Sequence, residues 1–131
     1  MFSISAIKGK FNRSKINFKD TYLYDEKPFS NIETLKQFQI NEKCIIYYKK
    51  NNTYSWYLTN IRFIIPNEGR FVNLTDLKKV DFVNIKENPN LKMENKELTL
   101  LTRDEKFTFF VEENSWHLFY NIFKFIIEHN H

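Results

Sequence analysis

The chain of 131 residues holds one cysteine, two glycines and three prolines, and each shortage closes off a class of structure. With Cys44 alone, neither an internal disulfide framework nor a cysteine-based metal cluster can form. Cys44 stands in the apolar run "CIIYY" with no polar activating group close in sequence, so it reads as a small buried thiol and not as a nucleophile. Two glycines leave few positions that can rely on unusual backbone dihedrals. No window approaches the ~18 uninterrupted apolar residues of a membrane span. "MFSISAIKGKFNRSK" lacks the apolar core, roughly 7–15 residues long, of a signal peptide. These absences point to a cytoplasmic protein, in which the glycosylation-type triplets at Asn12, Asn51 and Asn73 are chance matches. Catalytic triad, HExxH, P-loop and dinucleotide signatures are also missing, so neither an enzyme nor a cofactor is expected.

What is present is apolar and aromatic. Hydrophobic content is 42% and aromatic content 18%, too apolar for a disordered chain and enough for one domain with a proper core. Twenty basic side chains stand against sixteen acidic ones, a net +4 with the signs interspersed, which permits an acidic partner without requiring one.

Residues 1–29 are mixed, with weak alternation at Ile16, Phe18, Tyr22 and Tyr24 that suggests a short hairpin. Ser30 to Ile40 reads as a short helix, capped by Ser30 with Glu33 as capping-box partner, and Ile32, Leu35, Phe38 and Gln39 facing inward. From Lys43 the period becomes that of strands. "KCIIYYKK" and "TYSWYL" flank Asn51-Asn52, which suits a tight turn. Taking "TYSWYL" on through Ile65 would make a strand of about 12 residues, twice the usual length. A tight turn at Thr59-Asn60, with Asn60 left-handed or similarly turned, is expected instead. Pro66 to Gly69 turns the chain into "RFVNL", "TDL" marks a bulge or corner, and Val80 to Val83 resumes the strand. After a long polar connection, "ELTLLT" and "FTFFVE" form the last hairpin across "RDEK".

The chain ends in an amphipathic helix with Asn114 or Ser115 as N-cap and Glu112 and Glu113 ahead of its positive end. Trp116, Phe119, Tyr120, Phe123, Ile126 and Ile127 make one wide apolar face. His117, Asn121, Lys124 and Glu128 leave only a narrow polar stripe, because Leu118, Ile122 and Phe125 form a second apolar flank. That flank must be covered, by the first 40 residues or by another subunit or partner.

"YLTNIRFIIPNEG" resembles the strand–turn–strand of bacterial PH-like and GRAM-type domains, "VNLTDLKKVDF" their next strand and corner, and "FYNIFKFI" their closing helix. The likeness runs from about Leu35 to Glu128. It implies a mainly β fold of the pleckstrin-homology type: a seven-stranded sandwich or barrel of two orthogonal sheets, capped by the C-terminal helix. Residues 31–131 would form that domain and residues 1–30 an extension packed on it, the N-terminal extension containing a short helix. Phosphoinositide-binding members carry basic residues on the first two strands and their loop. Lys49 and Lys50 match that loop and Arg62 lies beyond it, but Tyr54, Ser55, Trp56 and Tyr57 replace the further basic pair.

The remaining polar residues read blandly. His117, His129 and His131 lie on a polar helix side or at a fraying end, so no metal is expected. Asp104-Glu105 and Glu112-Glu113 serve solubility and helix capping. The rings in "YYKKNNTYSWY" could stack on single-stranded nucleic acid, yet cross-strand pairing explains them better, and nucleic-acid binding is a third reading behind two others. The first reading is a non-enzymatic module acting by protein–protein contact or self-assembly as a homo-oligomer. Its contact surface would be the edge strands, the hairpin tip carrying Tyr54, and the flank of Leu118, Ile122 and Phe125 if it is bare. The second is a lipid- or phosphate-binding module using Lys49, Lys50 and Arg62.

Overall fold

In the computed structural model, the structure describes residues 3–24, 39–50, 54–82 and 97–130. The period-2 runs form strands: β1 (Thr21–Leu23), β2 (Cys44–Lys50), β3 (Tyr54–Thr59), β4 (Arg62–Ile65), β5 (Arg70–Asn73), β6 (Lys79–Asp81), β7 (Glu97–Leu101) and β8 (Lys106–Phe110). Helix α1 (Ile4–Arg13) precedes them and α2 (Trp116–His129) follows. Strands β1 to β5 make one antiparallel sheet in chain order and β6 to β8 a second. The sheets do not close into a barrel. Seven of the strands, β2 to β8, fall within residues 31–131, and the eighth comes from the N-terminal segment.

That segment differs most from expectation. Among its described residues no hairpin forms within the segment: β1 pairs with β2, Tyr22 opposite Tyr47. Ahead of it stands α1, which the alternation did not suggest. Ser3 caps α1 through its hydroxyl, which accepts from Ala6 N at 3.3 Å. Ile4, Ile7 and Phe11 recur at helical spacing, and Ile7 is fully buried. The expected helix from Ser30 lies outside the described residues except for Gln39 and Ile40, as do the Asn51-Asn52 turn, Val83 and the long connection.

Strands β3 and β4 pair antiparallel, Leu58 opposite Phe63, so the two-residue turn is Asn60–Ile61, one residue later than expected. Asn60 is not left-handed; among the described non-glycine residues only Lys15, Asn41 and Asn114 have positive φ. The turn is held by Thr59 Oγ1, which accepts from Ile61 N (3.1 Å) and Arg62 N (2.9 Å). A hydroxyl that takes both N–H groups makes positive φ unnecessary. Gly69 is left-handed at φ 61°, as the turn into β5 requires. At Leu74–Asp76 a 3₁₀ turn carries the chain out of the first sheet, and Lys78 N donates to Leu101 O of the second.

The core lies between the sheets and under α2. Trp56 is at its centre, within 5.1–6.1 Å of the rings of Tyr48, Phe63, Phe109 and Phe119. On α2, Trp116, Phe119, Phe123 and Ile126 are buried as the apolar face predicts. Leu118 and Ile122 are buried too, because α1 packs beside α2. Ser115 is the N-cap residue of the helix, as expected, but its side chain makes no cap bond; its hydroxyl donates to Glu112 O at 2.6 Å. The Glu112 carboxylate is not a helix cap either. It accepts from Lys19 N (2.7 Å), Asp20 N (2.8 Å) and Thr21 Oγ1 (2.9 Å), and so ties the N-terminal segment to the start of α2.

Phe123 meets Phe63 at 5.4 Å and Phe109 at 5.6 Å between ring centroids, one contact in each sheet. Phe123→Ala is therefore expected to cost about 3–5 kcal/mol in chemical denaturation. A cost below about 1 kcal/mol would show that α2 docks by another face.

Candidate functional site

Lys49 and Lys50 stand at one end of the β2–β3 hairpin, opposite Ser55 and Tyr54. Arg62 begins β4 beyond the other end, where Cys44 pairs with Thr59. At ~3.3 Å per strand residue the two ends are roughly 20 Å apart, too far for one phosphate group. Lys50 lines a cavity of about 260 Å³ that also holds Asp20, Glu112 and Glu113, carboxylates that repel an anion.

Arg62 is committed elsewhere. Its side chain is 11% exposed and that of Glu42 is 0% exposed. Arg62 Nε donates to Glu42 Oε2 (2.9 Å) and Oε1 (3.2 Å), and Nη2 donates to Oε1 (3.1 Å). Thr59 Oγ1 donates to Glu42 Oε2 at 2.6 Å and Gln39 N to Oε1 at 2.9 Å. Nearby, Asn60 exchanges bonds with Lys43, accepting from its N at 2.7 Å and donating to its O at 3.0 Å. Residues 39–43 and the β3–β4 turn are thus clamped together. Arg62 was expected among the phosphate ligands; in the structure its guanidinium balances a buried carboxylate. Burial pushes the Glu42 carboxyl up, but the bonds from Arg62, Thr59 and Gln39 and the Arg62 charge outweigh it and hold it below its ordinary value.

Tyr54 is a strut between the sheets more than a free hairpin anchor. It is half-buried, its hydroxyl accepts from Phe110 N at 3.0 Å, and burial above all pushes it up to about 12. Cys44 is buried, and burial followed by the Glu42 charge pushes its thiol up to about 12, which leaves it inert at neutral pH. His117 is exposed on α2, His129 Nδ1 lies 2.9 Å from Phe125 O, and His131 is outside the described residues. Among the described residues no three His, Cys, Asp or Glu side chains gather around one point, and no helix is long and apolar enough to cross a membrane.

Two surface features remain. The first was expected in kind. Leu74 N donates to Ile61 O (2.9 Å), and alternation along the antiparallel ladder turns the N–H and C=O of Phe71 and the N–H of Asn73 outward from β5. Phe71 is 52% exposed. Beside it a groove of about 500 Å³ runs to the Thr102–Glu105 turn. The other edges are occupied or short. On β8, Phe110 N donates to Tyr54, Phe110 O accepts from Trp56 Nε1 (2.8 Å), and Lys106 O accepts from Arg70 Nη2. On β1, Glu112 takes the N–H groups at the strand's start. Along β6 lies α2.

The second feature is where the bare apolar flank was anticipated. Leu118 and Ile122 are covered by α1 and are not an open surface, and Phe125 is half-buried with Lys10 Nζ 5.0 Å above its ring. What stays open there is a groove of about 570 Å³ between the helices, with Lys10 and Arg13 on one side and His117, Asn121 and Lys124 on the other. Comparison with protein-family models, curated proteins and solved structures finds no match for this chain.

The clamp sets two expected outcomes. Arg62→Met strands a buried carboxylate and should cost about 3–5 kcal/mol in urea unfolding, whereas the double variant Glu42→Gln/Arg62→Met should recover part of it. Because the Glu42 carboxyl is lowered in the folded state, its contribution is complete above the ordinary carboxylate range and is lost as pH falls through the lowered value. Thermal melts across acid pH should therefore show a steeper loss for the native chain than for Glu42→Gln.

Proposed function

We propose that the protein is a non-catalytic binding module of the pleckstrin-homology type, which takes up an extended segment of a protein partner along β5. The fold reading is supported by the order of β2 to β8, four strands then three, followed by a closing helix. Helix α1 and β1 are additions in front of that layout.

The observation that carries the function is the open edge of β5. Phe71 offers an outward backbone donor and acceptor and Asn73 an outward donor, Phe71 adds an exposed ring, and the adjoining groove can receive a side chain of the incoming strand. An aromatic beside unpaired backbone groups is the combination that anchors an added strand, with main-chain bonds for affinity and the groove for selectivity. Self-assembly is the same mode with a second copy as the donor. Lys49 and Lys50 have no part in it.

Asn73 has φ −72°, which proline adopts without strain, and its N–H points away from the sheet. Asn73→Pro should leave the thermal melt unchanged and remove one edge donor. Peptides enriched on the native protein from a random displayed library should bind this variant and Phe71→Glu about tenfold more weakly or worse. Enriched peptides that bind all three proteins alike would place the contact elsewhere.

A further inference from the structure

We propose that the groove between α1 and α2 binds a ligand carrying clustered phosphate groups, of about nucleotide size. The site is independent of the β5 edge.

Charge points to it first. Residues 1–19 hold five basic side chains and no acidic one, while the other 112 residues hold fifteen against sixteen. The excess of the whole chain therefore sits in α1 and the residues just after it. Packing of α1 against α2 then sets Lys10 and Arg13 across the groove from Lys124 and the Asn121 amide. Among the described residues no carboxylate lies within 4.0 Å of any of these three cations. Two ammonium groups, a guanidinium fork and an amide, all with donors to spare, match a cluster of phosphate oxygens. One carboxylate, Glu128, lines this groove beside the three cations, whereas in the cavities at Lys50 and beside β5 three carboxylates outnumber two cations among the described residues.

Gly9 adds a second line. A glycine inside a helix costs about 1 kcal/mol relative to alanine, so its presence in α1 needs a reason. A Cβ there would lie 2.9 Å from Arg13 Nη1. The missing side chain leaves the space in which the guanidinium rests, one turn back along the helix. Gly9 is thus a positioning residue for Arg13.

Size and shape favour a small ligand over a polymer or a membrane. About 570 Å³ falls within the usual range for small-molecule sites, ~300–1,000 Å³. Glu128 closes one end of the basic stripe, where a nucleic-acid backbone would continue. The apolar side of α1 is spent in the core through Ile7, so α1 has no face to lay into a bilayer.

The test is calorimetric titration at low salt with tripolyphosphate, ATP and vesicles of phosphatidylcholine with or without a phosphoinositide. One-site binding of ATP or tripolyphosphate is expected, weakened about tenfold or more by Arg13→Glu and by Lys124→Glu and unchanged by Lys50→Glu. Binding of phosphoinositide vesicles without ATP binding would assign the phosphates to a headgroup; the reverse assigns them to a free ligand. Gly9→Ala should hold or raise the melting temperature yet weaken binding, a split that a merely structural glycine would not give. Circular dichroism melts check that the exposed variants stay folded. Absence of binding to every phosphate probe, equal loss in Lys50→Glu, or binding of a single-stranded oligonucleotide alone would overturn the proposal.

Discussion

The indole N–H of Trp56 donates to Phe110 O, and the same ring packs on Phe63, Phe109 and Phe119. One side chain of β3 therefore touches both sheets and α2. This contact is needed because the two sheets share no strand pairing. Tyr54 and Arg70 reinforce the same seam through Phe110 N and Lys106 O, so side chains stand in for the neighbour that β8 lacks. Aromatic rings supply most of the area in such a joint, and their edge-to-face geometry fixes the angle between the layers. With β8 satisfied in this way, the unspent backbone donors and acceptors collect at β5, the edge strand of the larger sheet that carries Arg70.

The charged groups divide into two kinds. Glu42 and Arg62 are buried and spend their hydrogen bonds on each other and on the β3–β4 turn. Such a pair adds little net stability over apolar residues, but either partner alone is strongly unfavourable, so it favours one arrangement of the turn over others. Lys10, Arg13 and Lys124 instead keep their donors at the surface. A basic side chain in this protein thus either clamps the fold or faces a groove, and its sequence neighbours do not reveal which.

Much of the β architecture was legible in the chain. Period-2 runs from Cys44 onward, the punctuation at Pro66–Gly69 and the helical spacing from Trp116 all mark elements that form where they were expected. The rest depended on non-local contacts. Thr59 and Asn60 promised a turn, but only the position of the Thr59 hydroxyl shows that it falls at Asn60–Ile61. Arg62 looked like a free cation because its partner lies 20 residues earlier. Glu112 looked like a helix-end charge because its donors lie more than 90 residues away. Helix α1 was obscured by Gly9, a poor helix former, although Ser3 with Ile4, Ile7 and Phe11 carries a usable signal. The clustering of bases in residues 1–19 was also readable, and a whole-chain average concealed it.

Glu112 accepts hydrogen bonds from Lys19 across 93 residues of chain, and α1 rests on α2 beyond it. During synthesis α1 leaves the ribosome long before the helix that will cover it. Its apolar residues stay uncovered until α2 is translated. Contacts of such span close slowly because the intervening loop must be ordered first. The groove between the helices is therefore among the last parts of the molecule to exist, and a chain truncated within α2 would lose it together with its N-terminal docking.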